Sequence, residues 1–375
     1  MSNVHITLVG GQPMPILYGI RFAKPEKVIF IYSSQSRAIV GRIKQFIDCQ
    51  VIEQPPLDDY NPRTIYNRAI SLYEQFKDDS ITLNISGGLK SWSHIFGVYF
   101  GNTSNTTVFY IDQNNTVMDF RKMESIPLEN VSLSIIDHLR LYGNNLNSYT
   151  DYSEYSEEDI SAIATIRQAR NYNRKAFNNL TINLSKEQET LTRQKEGSIK
   201  NENGLINWYY DDISDDTVID IELYKPSRPA NVTFSISSLH AKHLVFFAGW
   251  FEVYVANILH KWDKAREVLT NCRFTYDNGQ DKNEIDVIVN SGNKLLFVEC
   301  KTQIKNNTDL DKFISVVKTM SGTASKALFI TEGTMKPETV AKCNENGILH
   351  FSFANGRSVK ELYRLLDEDH NKSNK

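Results

Sequence analysis

The chain has 375 residues, of which 41% are hydrophobic, 11% aromatic and 23% charged; this suits two or three folded domains and excludes a disordered tail or a collagen-like fibre. Forty-two Lys and Arg against 45 Asp and Glu leave a formal net charge of -3, so a nucleic-acid partner has to be held by a local basic patch or by bound cations, not by a global positive field. Four scattered cysteines (Cys49, Cys272, Cys300, Cys343) with no CxxC pair suggest neither a disulfide framework nor a zinc site, and the lack of a secretory start or of an apolar run of about 20 residues predicts a cytosolic chain with no membrane span.

The first third alternates strand-like and helix-like segments. Residues 5–9 (HITLV), 27–32 (KVIFIY), 81–85 (ITLNI) and 106–111 (TTVFYI) are short β-branched runs, and helical patterns lie between them at 37–47 and 62–76. Such alternation predicts a doubly wound, mostly parallel sheet, whose ligands sit in the loops beyond the carboxyl ends of strands. Three of those loops are rich in Gly and Ser: Gly10-Gly11-Gln12, Ser33-Ser34-Gln35-Ser36, and Ser86-Gly87-Gly88-Leu89-Lys90-Ser91. A Gly pair lets the backbone approach an anion, and a helix opening after it offers free N–H groups. Each turn alone is compatible with plain turn geometry. Three along one sheet edge point to a phosphate or nucleotide ligand, although neither a Walker loop nor a dinucleotide fingerprint is present.

From about residue 121 to 241 the pattern changes. Residues 135–141 predict a helix, and 144–159 (NNLNSYTDYSEYSEED) read as a polar linker leading into another helix. Residues 191–203 are charged and irregular, and 211–216 form an acidic loop. The last third returns to α/β grammar: an apolar helix over 243–261, strands over 284–289, 295–300 and 326–330, and a charged helix over 309–319. His240 and His243 share a helical face but have no third ligand nearby, which suits structural roles.

The strands Asn283-Glu284-Ile285-Asp286-Val287-Ile288-Val289 and Leu296-Phe297-Val298-Glu299-Cys300-Lys301 flank Ser291-Gly292-Asn293, which predicts a hairpin. A two-residue Gly292-Asn293 loop pairs Ser291 with Lys294 and so sets Asp286 opposite Glu299. Lys301 then shares their face, while Ile285, Val287 and Val289 meet Cys300, Val298 and Leu296 on a wholly apolar one. A slip of one residue would mix polar and apolar positions, so the pattern selects the register. Two adjacent carboxylates repel unless a cation lies between them, and hard oxygen ligands suit Mg²⁺ or Mn²⁺. A neighbouring lysine can orient an attacking water or steady charge on phosphorus. An exposed sheet face with ordinary cross-strand ion pairs would carry the same letters. Glu252, a lone acid within Gly249-Trp250-Phe251-Glu252-Val253-Tyr254-Val255, favours the metal reading, because burying it requires a partner.

On these residues the last third resembles the restriction-endonuclease-like PD-(D/E)xK nucleases, with Glu252 as helix glutamate, Asp286 as first-strand aspartate and Glu299 with Lys301 as the ExK pair; Ile285 stands where the family has proline. The first third resembles CARF domains, sensors of cyclic oligoadenylates in type III CRISPR defence, whose Thr-Gly-Gly-Thr-Lys signature becomes Ser86-Gly87-Gly88-Leu89-Lys90. The resemblance implies an N-terminal Rossmann-like CARF domain (1–125), a helical connecting region (126–235) and a C-terminal restriction-endonuclease-like α/β domain (236–375). It implies a homodimer sharing one cyclic tetra-adenylate, bound through Gly11, Gln12, Ser33, Ser34, Gln35, Ser86, Gly87, Gly88 and Lys90. Glu252, Asp286 and Glu299 would hold Mg²⁺ or Mn²⁺, with Lys301 assisting, and the substrate would be single-stranded DNA or RNA or supercoiled duplex. Two rivals stay open on the residues alone: an ungated restriction or repair nuclease, and a nucleic-acid-binding regulator that does not cut.

Overall fold

The computed structural model describes residues 1–372 except 113, 129–132, 225–230, 277–278, 293, 305–307 and 321–324. The amino-terminal part runs β1 (Asn3–Leu8), α1 (Met14–Ala23), β2 (Lys27–Ile31), α2 (Arg37–Ile43), β3 (Gln50–Val51), α3 (Pro62–Phe76), β4 (Ser80–Asn84), α4 (Lys90–Gly101), β5 (Thr106–Ile111), β6 (Thr116–Asp119) and β7 (Glu124–Pro127). These strands form one sheet in the order β3-β2-β1-β4-β5-β6-β7, parallel from β3 to β5 and antiparallel beyond. One face packs on α3 and α4 through Ile65, Leu72, Trp92 and Phe96. The other packs on α1 and α2 through Ile16, Leu17, Val40 and Ile43. Both faces are therefore covered, as a parallel sheet with crossover helices requires, and the doubly wound reading holds.

The middle contains α5 (Ile135–Leu141), β8 (Asn145–Asp151), α6 (Glu157–Thr181), α7 (Lys186–Leu191), β9 (Gly197–Asn201), β10 (Gly204–Asp211), β11 (Asp216–Leu223) and β12 (Val232–Ser238). Helices do lie between the two α/β parts, and with them a four-stranded antiparallel sheet, β12-β11-β10-β9, that the sequence reading did not anticipate. Two expectations are corrected here. Residues 145–151, read as linker, form an edge strand on the carboxyl-terminal sheet. Residues 197–201, read as irregular, form β9, while 212–215 do turn between β10 and β11.

The carboxyl-terminal part comprises α8 (Ala241–Phe246), α9 (Gly249–His260), β13 (Glu267–Thr275), β14 (Asp281–Asn290), β15 (Leu295–Lys301), α10 (Thr308–Met320), β16 (Lys326–Thr331), α11 (Pro337–Glu345), β17 (Leu349–Ser352) and α12 (Val359–Lys372). The apolar helix expected over 243–261 is two helices. Ala248 breaks it with φ 59°, and a Cβ on Gly249 would lie 2.2 Å from His243 Nε2, so any larger residue there would have to displace the His243 ring packed between the two helices. The six-stranded sheet has the order β17-β16-β15-β14-β13-β8. Its hairpin has the expected register over its turn half, with Val287 opposite Val298, Val289 opposite Leu296, and Ser291 N donating to Lys294 O at 3.0 Å; Asn293 lies outside the described residues. The expected pairs Asp286–Glu299 and Ile285–Cys300 lie beyond its last rung, and Ile285 packs with Ile288 and Phe297 and not with Val287 and Val289. The face bearing Ile288, Leu295 and Phe297 is buried. Leu310, Phe313 and Ile314 of α10 cover it. The opposite face shares one continuous core with α6, α8, α9 and the four-stranded sheet. Among the described residues no helix is long and apolar enough to cross a membrane.

Candidate active site and ligand turns

The hairpin ladder opens at its far end. Val287 and Val298 are its last pair, beyond which β14 continues against β13, with Ile285 opposite Cys272. Where the strands part, Asp286 Oδ2 accepts from Cys300 N at 2.7 Å, so the carboxylate is anchored by the main chain of the neighbouring strand. Lys301 Nζ lies 2.6 Å from Glu299 Oε1 and 3.8 Å from Asp286 Oδ2. Asp286, Glu299 and Lys301 are thus brought together at the end of β15. Glu252 approaches from α9, close enough to feel the charges of Asp286, Lys301, Glu284 and Glu299.

The charges do not balance. Burial and then the Asp286 carboxylate push Glu299 up to about 8. Burial raises Asp286 too, against the opposing pull of Lys301 and of the Cys300 N–H. Glu252 is held well above the usual carboxylate range by burial first and Asp286 second. Burial alone would lower Lys301, but Asp286 and Glu299 outweigh it and fix the ammonium in its charged form. One lysine therefore faces three carboxylates. Among the described residues no group of three His, Cys, Asp or Glu side chains converges tightly enough to hold a metal ion as it stands. The donor set is nevertheless chemically right for a hard divalent cation: oxygen ligands only, and clustered acids whose charged forms burial disfavours in the absence of a cation. Two further acids contribute to this field, Glu284 and Asp309. The sequence contained both as charges, but only the packing of α10 onto the sheet brings Asp309 near.

The three Gly/Ser turns fall on one edge of the amino-terminal sheet, because β2, β1 and β4 are adjacent and parallel. The first and third turns touch through their backbones: a Cβ on Gly87 would lie 2.2 Å from Leu8 O, and one on Gly10 would lie 2.9 Å from Gly88 N. Gly88 also has φ +76°, a conformation that glycine adopts without strain. Ser86 is occupied internally; its N and Oγ donate to Asn84 Oδ1 at 2.9 and 2.5 Å, and its Oγ accepts from Ile111 N at 2.7 Å. Ser33 closes a capping box with Ser36. Ser34 donates from N and Oγ to Asp58 at 2.6 and 2.5 Å, a partner the sequence reading missed. Gln35, Gly11 and Lys90 are exposed, with Lys90 opening α4. Gln12 Oε1 accepts from Tyr142 OH at 3.1 Å.

Comparison with known proteins accords with both halves. Residues 4–138 match the family described as the Card1 CARF domain, and residues 241–361 match the Card1-like endonuclease domain. No curated protein sequence matches the chain. Among solved structures, Can2 from Sulfobacillus thermosulfidooxidans in complex with cyclic tetra-adenylate is 20% identical, with a TM-score of 0.67 over 97% of this chain and 96% of that one. VC1899 from Vibrio cholerae is 16% identical, with a TM-score of 0.70 over 99% and 98%. A type III CRISPR defence DNA nuclease activated by cyclic oligoadenylate is 13% identical, with a TM-score of 0.58 over 98% of this chain and 52% of that one. These likenesses extend to the fold.

Proposed function

Because the chain belongs to the family that joins a Card1 CARF domain to a Card1-like endonuclease domain, we propose that it is a metal-dependent endonuclease for single-stranded nucleic acid, switched on by a cyclic oligoadenylate in type III CRISPR defence. The observation that carries this reading is the meeting of Asp286, Glu299 and Lys301 where the hairpin opens. A trio of this kind, with burial raising both of its carboxylates, is a costly way to stabilise a fold that an apolar core would serve better.

In this reading Asp286, Glu299 and Glu252 hold a divalent cation, Mg²⁺ or Mn²⁺, which when bound supplies the positive charge that activates water and neutralises the scissile phosphate. Lys301 stays protonated in this field, so it works as a hydrogen-bond donor toward developing negative charge and not as a base. Asp286, tied to Cys300 N, fixes the geometry of the pair. In the sensor half, the exposed Gly11, Gln35 and Lys90 with the backbone of Gly87 and Gly88 receive the phosphates of the ring. Cyclic tetra-adenylate, the ligand of Can2, is the ring we expect, shared across the two-fold axis of a homodimer.

The test is cleavage of labelled single-stranded DNA and RNA by the full-length protein in Mn²⁺ and cyclic tetra-adenylate, compared with Glu299→Ala under the same conditions. Cutting by the wild type and none by the variant supports the assignment; equal cutting by both overturns it.

A further inference from the structure

A cleft of about 360 Å³ lies between α6, α9 and the end of β16. Its arginines come from α6, on either side of a break at Asn173 (φ -155°, ψ 85°). Arg170 and Arg174 both pair with Glu332, at 2.6 and 2.8 Å. The exposed Arg167 sits 4.3 Å above the ring of Tyr254. Two guanidinium groups, Arg167 and Arg174, thus line the cleft against one carboxylate, Glu332, with the buried Arg170 behind it, leaving the cleft cationic in a chain whose net charge is -3. Its aromatic wall is Tyr254 with Phe353, whose ring centroids are 5.6 Å apart. Two buried donors here, Trp250 Nε1 and Arg170 Nε, have no hydrogen-bond partner among the described residues.

The cleft adjoins the site described above. Glu332 N donates to Lys301 O at 3.0 Å, so the acidic residue that organises the arginines follows directly on the strand paired with the ExK strand. Helix α9 carries Glu252 toward the carboxylates and Phe251 and Tyr254 into the cleft. Cationic guanidinium groups beside partly exposed aromatic rings are the equipment for a nucleic-acid backbone with an unstacked base. We propose that this cleft is a substrate subsite that takes a nucleotide flanking the scissile phosphate of a single strand, with Arg174 on the backbone and a base stacking on the Arg167 guanidinium where it lies over the Tyr254 ring. A duplex, whose bases are stacked inside, could not use it this way. This proposal rests on the nuclease reading.

The test uses full-length protein carrying Glu299→Ala, with activator present, and measures binding of fluorescent dT and U homopolymers by anisotropy. Arg167→Glu should weaken binding about tenfold and flatten its salt dependence by about one to two counterions. Tyr254→Leu should weaken binding about tenfold while Tyr254→Phe retains it, since only stacking distinguishes those two. The strand type that weakens identifies the backbone the cleft takes. In the cleavage-competent protein, Arg167→Glu should raise KM more than it lowers kcat. If Arg167→Glu leaves both affinity and salt slope unchanged, the subsite is overturned even if Tyr254→Leu fails to fold, and a wild type that still cuts leaves the nuclease reading standing. A wild type that neither binds nor cuts a single strand overturns both.

Discussion

Tyr142 donates its phenolic hydrogen to Gln12 across 130 residues of sequence, linking the first ligand turn to the helix that docks on the endonuclease sheet. That helix, α5, is tied to the sheet at its start: Ile135 N donates to Glu267 Oε2 at 2.7 Å, and Asn290 Nδ2 donates to Leu133 O at 2.7 Å. At its end Arg42 Nε donates to Leu141 O at 2.9 Å. Asn290 ends β14, the strand carrying Asp286, and its Oδ1 accepts from Gly292 N in the hairpin turn. A ligand that moves the Gln12 turn can therefore pull on the hairpin that carries Asp286 and Glu299 through packed, hydrogen-bonded elements, although a ligand shifts an equilibrium only by its differential affinity for two states.

Tyr142→Phe removes this one bond and keeps the ring that stacks on His138 at 5.0 Å. A hydrogen bond of this kind is worth about 1 kcal/mol, so the ring concentration giving half-maximal cleavage should rise about fivefold. The check is a titration of cleavage rate against cyclic tetra-adenylate, with ring affinity measured in parallel by calorimetry. An unchanged midpoint would remove Tyr142 from the coupling.

Asp286→Asn and Glu299→Gln keep side-chain size and delete a charge. Each should lower the cleavage rate by about 10²–10⁴-fold while leaving ring affinity intact. Chelation by EDTA should abolish wild-type cutting, and Mn²⁺ should raise the wild-type melting temperature because it relieves the buried carboxylates. Neither variant should show that Mn²⁺-dependent rise. A rise of equal size in Glu299→Gln would place the ion elsewhere.

Lys90→Glu reverses the charge at the head of α4, beside the Gly87-Gly88 backbone. Placing a carboxylate near the ring phosphates should weaken activator binding about tenfold or more. The Mn²⁺ thermal shift, which reads the other domain, should survive. Calorimetry of ring binding is the measurement, and the same titration should give one ring per two chains.

The pair His240–Asp159 makes stability depend on pH. His240 Nδ1 and Asp159 Oδ2 are 3.0 Å apart, joining the start of α8 to the first turn of α6. The hydrogen bond to Asp159 raises His240 above its model-peptide value of 6.5, against burial. Burial pushes Asp159 up, but His240 and Ser156 outweigh it and hold the acid below 3.8. The histidine contribution is therefore complete below 6.5 and is lost as pH rises through the raised folded value, whereas the aspartate contribution is lost only as pH falls below 3.8. His240→Asn should cost about 1 kcal/mol of unfolding free energy near pH 5.5, and less as the pH is raised past the folded value. Urea unfolding at several pH values checks this; a cost that grows with pH would reverse the assignment.

What the sequence disclosed follows from local physics. The bounds of α3 were legible because Asn61 caps it and Pro62 opens it. The hairpin register was legible from Val287 to Asn290 because alternation allows only one pairing without mixing faces; beyond Val287 the strands part, and Asp286 meets Glu299 through Lys301 and not as a cross-strand pair. β8 was not legible: its residues are mostly polar and partly exposed, and only pairing with β13 makes them a strand. β11 buries Thr217, Ile219, Ile221 and Leu223 in strict alternation, a pattern that was present and not taken up. The break at Ala248, the covering of the hairpin by α10 and the bond from Tyr142 to Gln12 depend on contacts between distant segments. No periodicity announces such contacts.

The measurement that bears most directly on a ring-gated nuclease is the initial rate of single-strand cleavage by full-length protein in Mn²⁺, with and without cyclic tetra-adenylate, in the wild type and in Lys90→Glu. The account predicts almost no cutting without the ring, saturable cutting with it in the wild type, and a curve displaced to higher ring concentration in Lys90→Glu. Equal wild-type rates in the presence and absence of the ring would contradict it and leave an ungated nuclease.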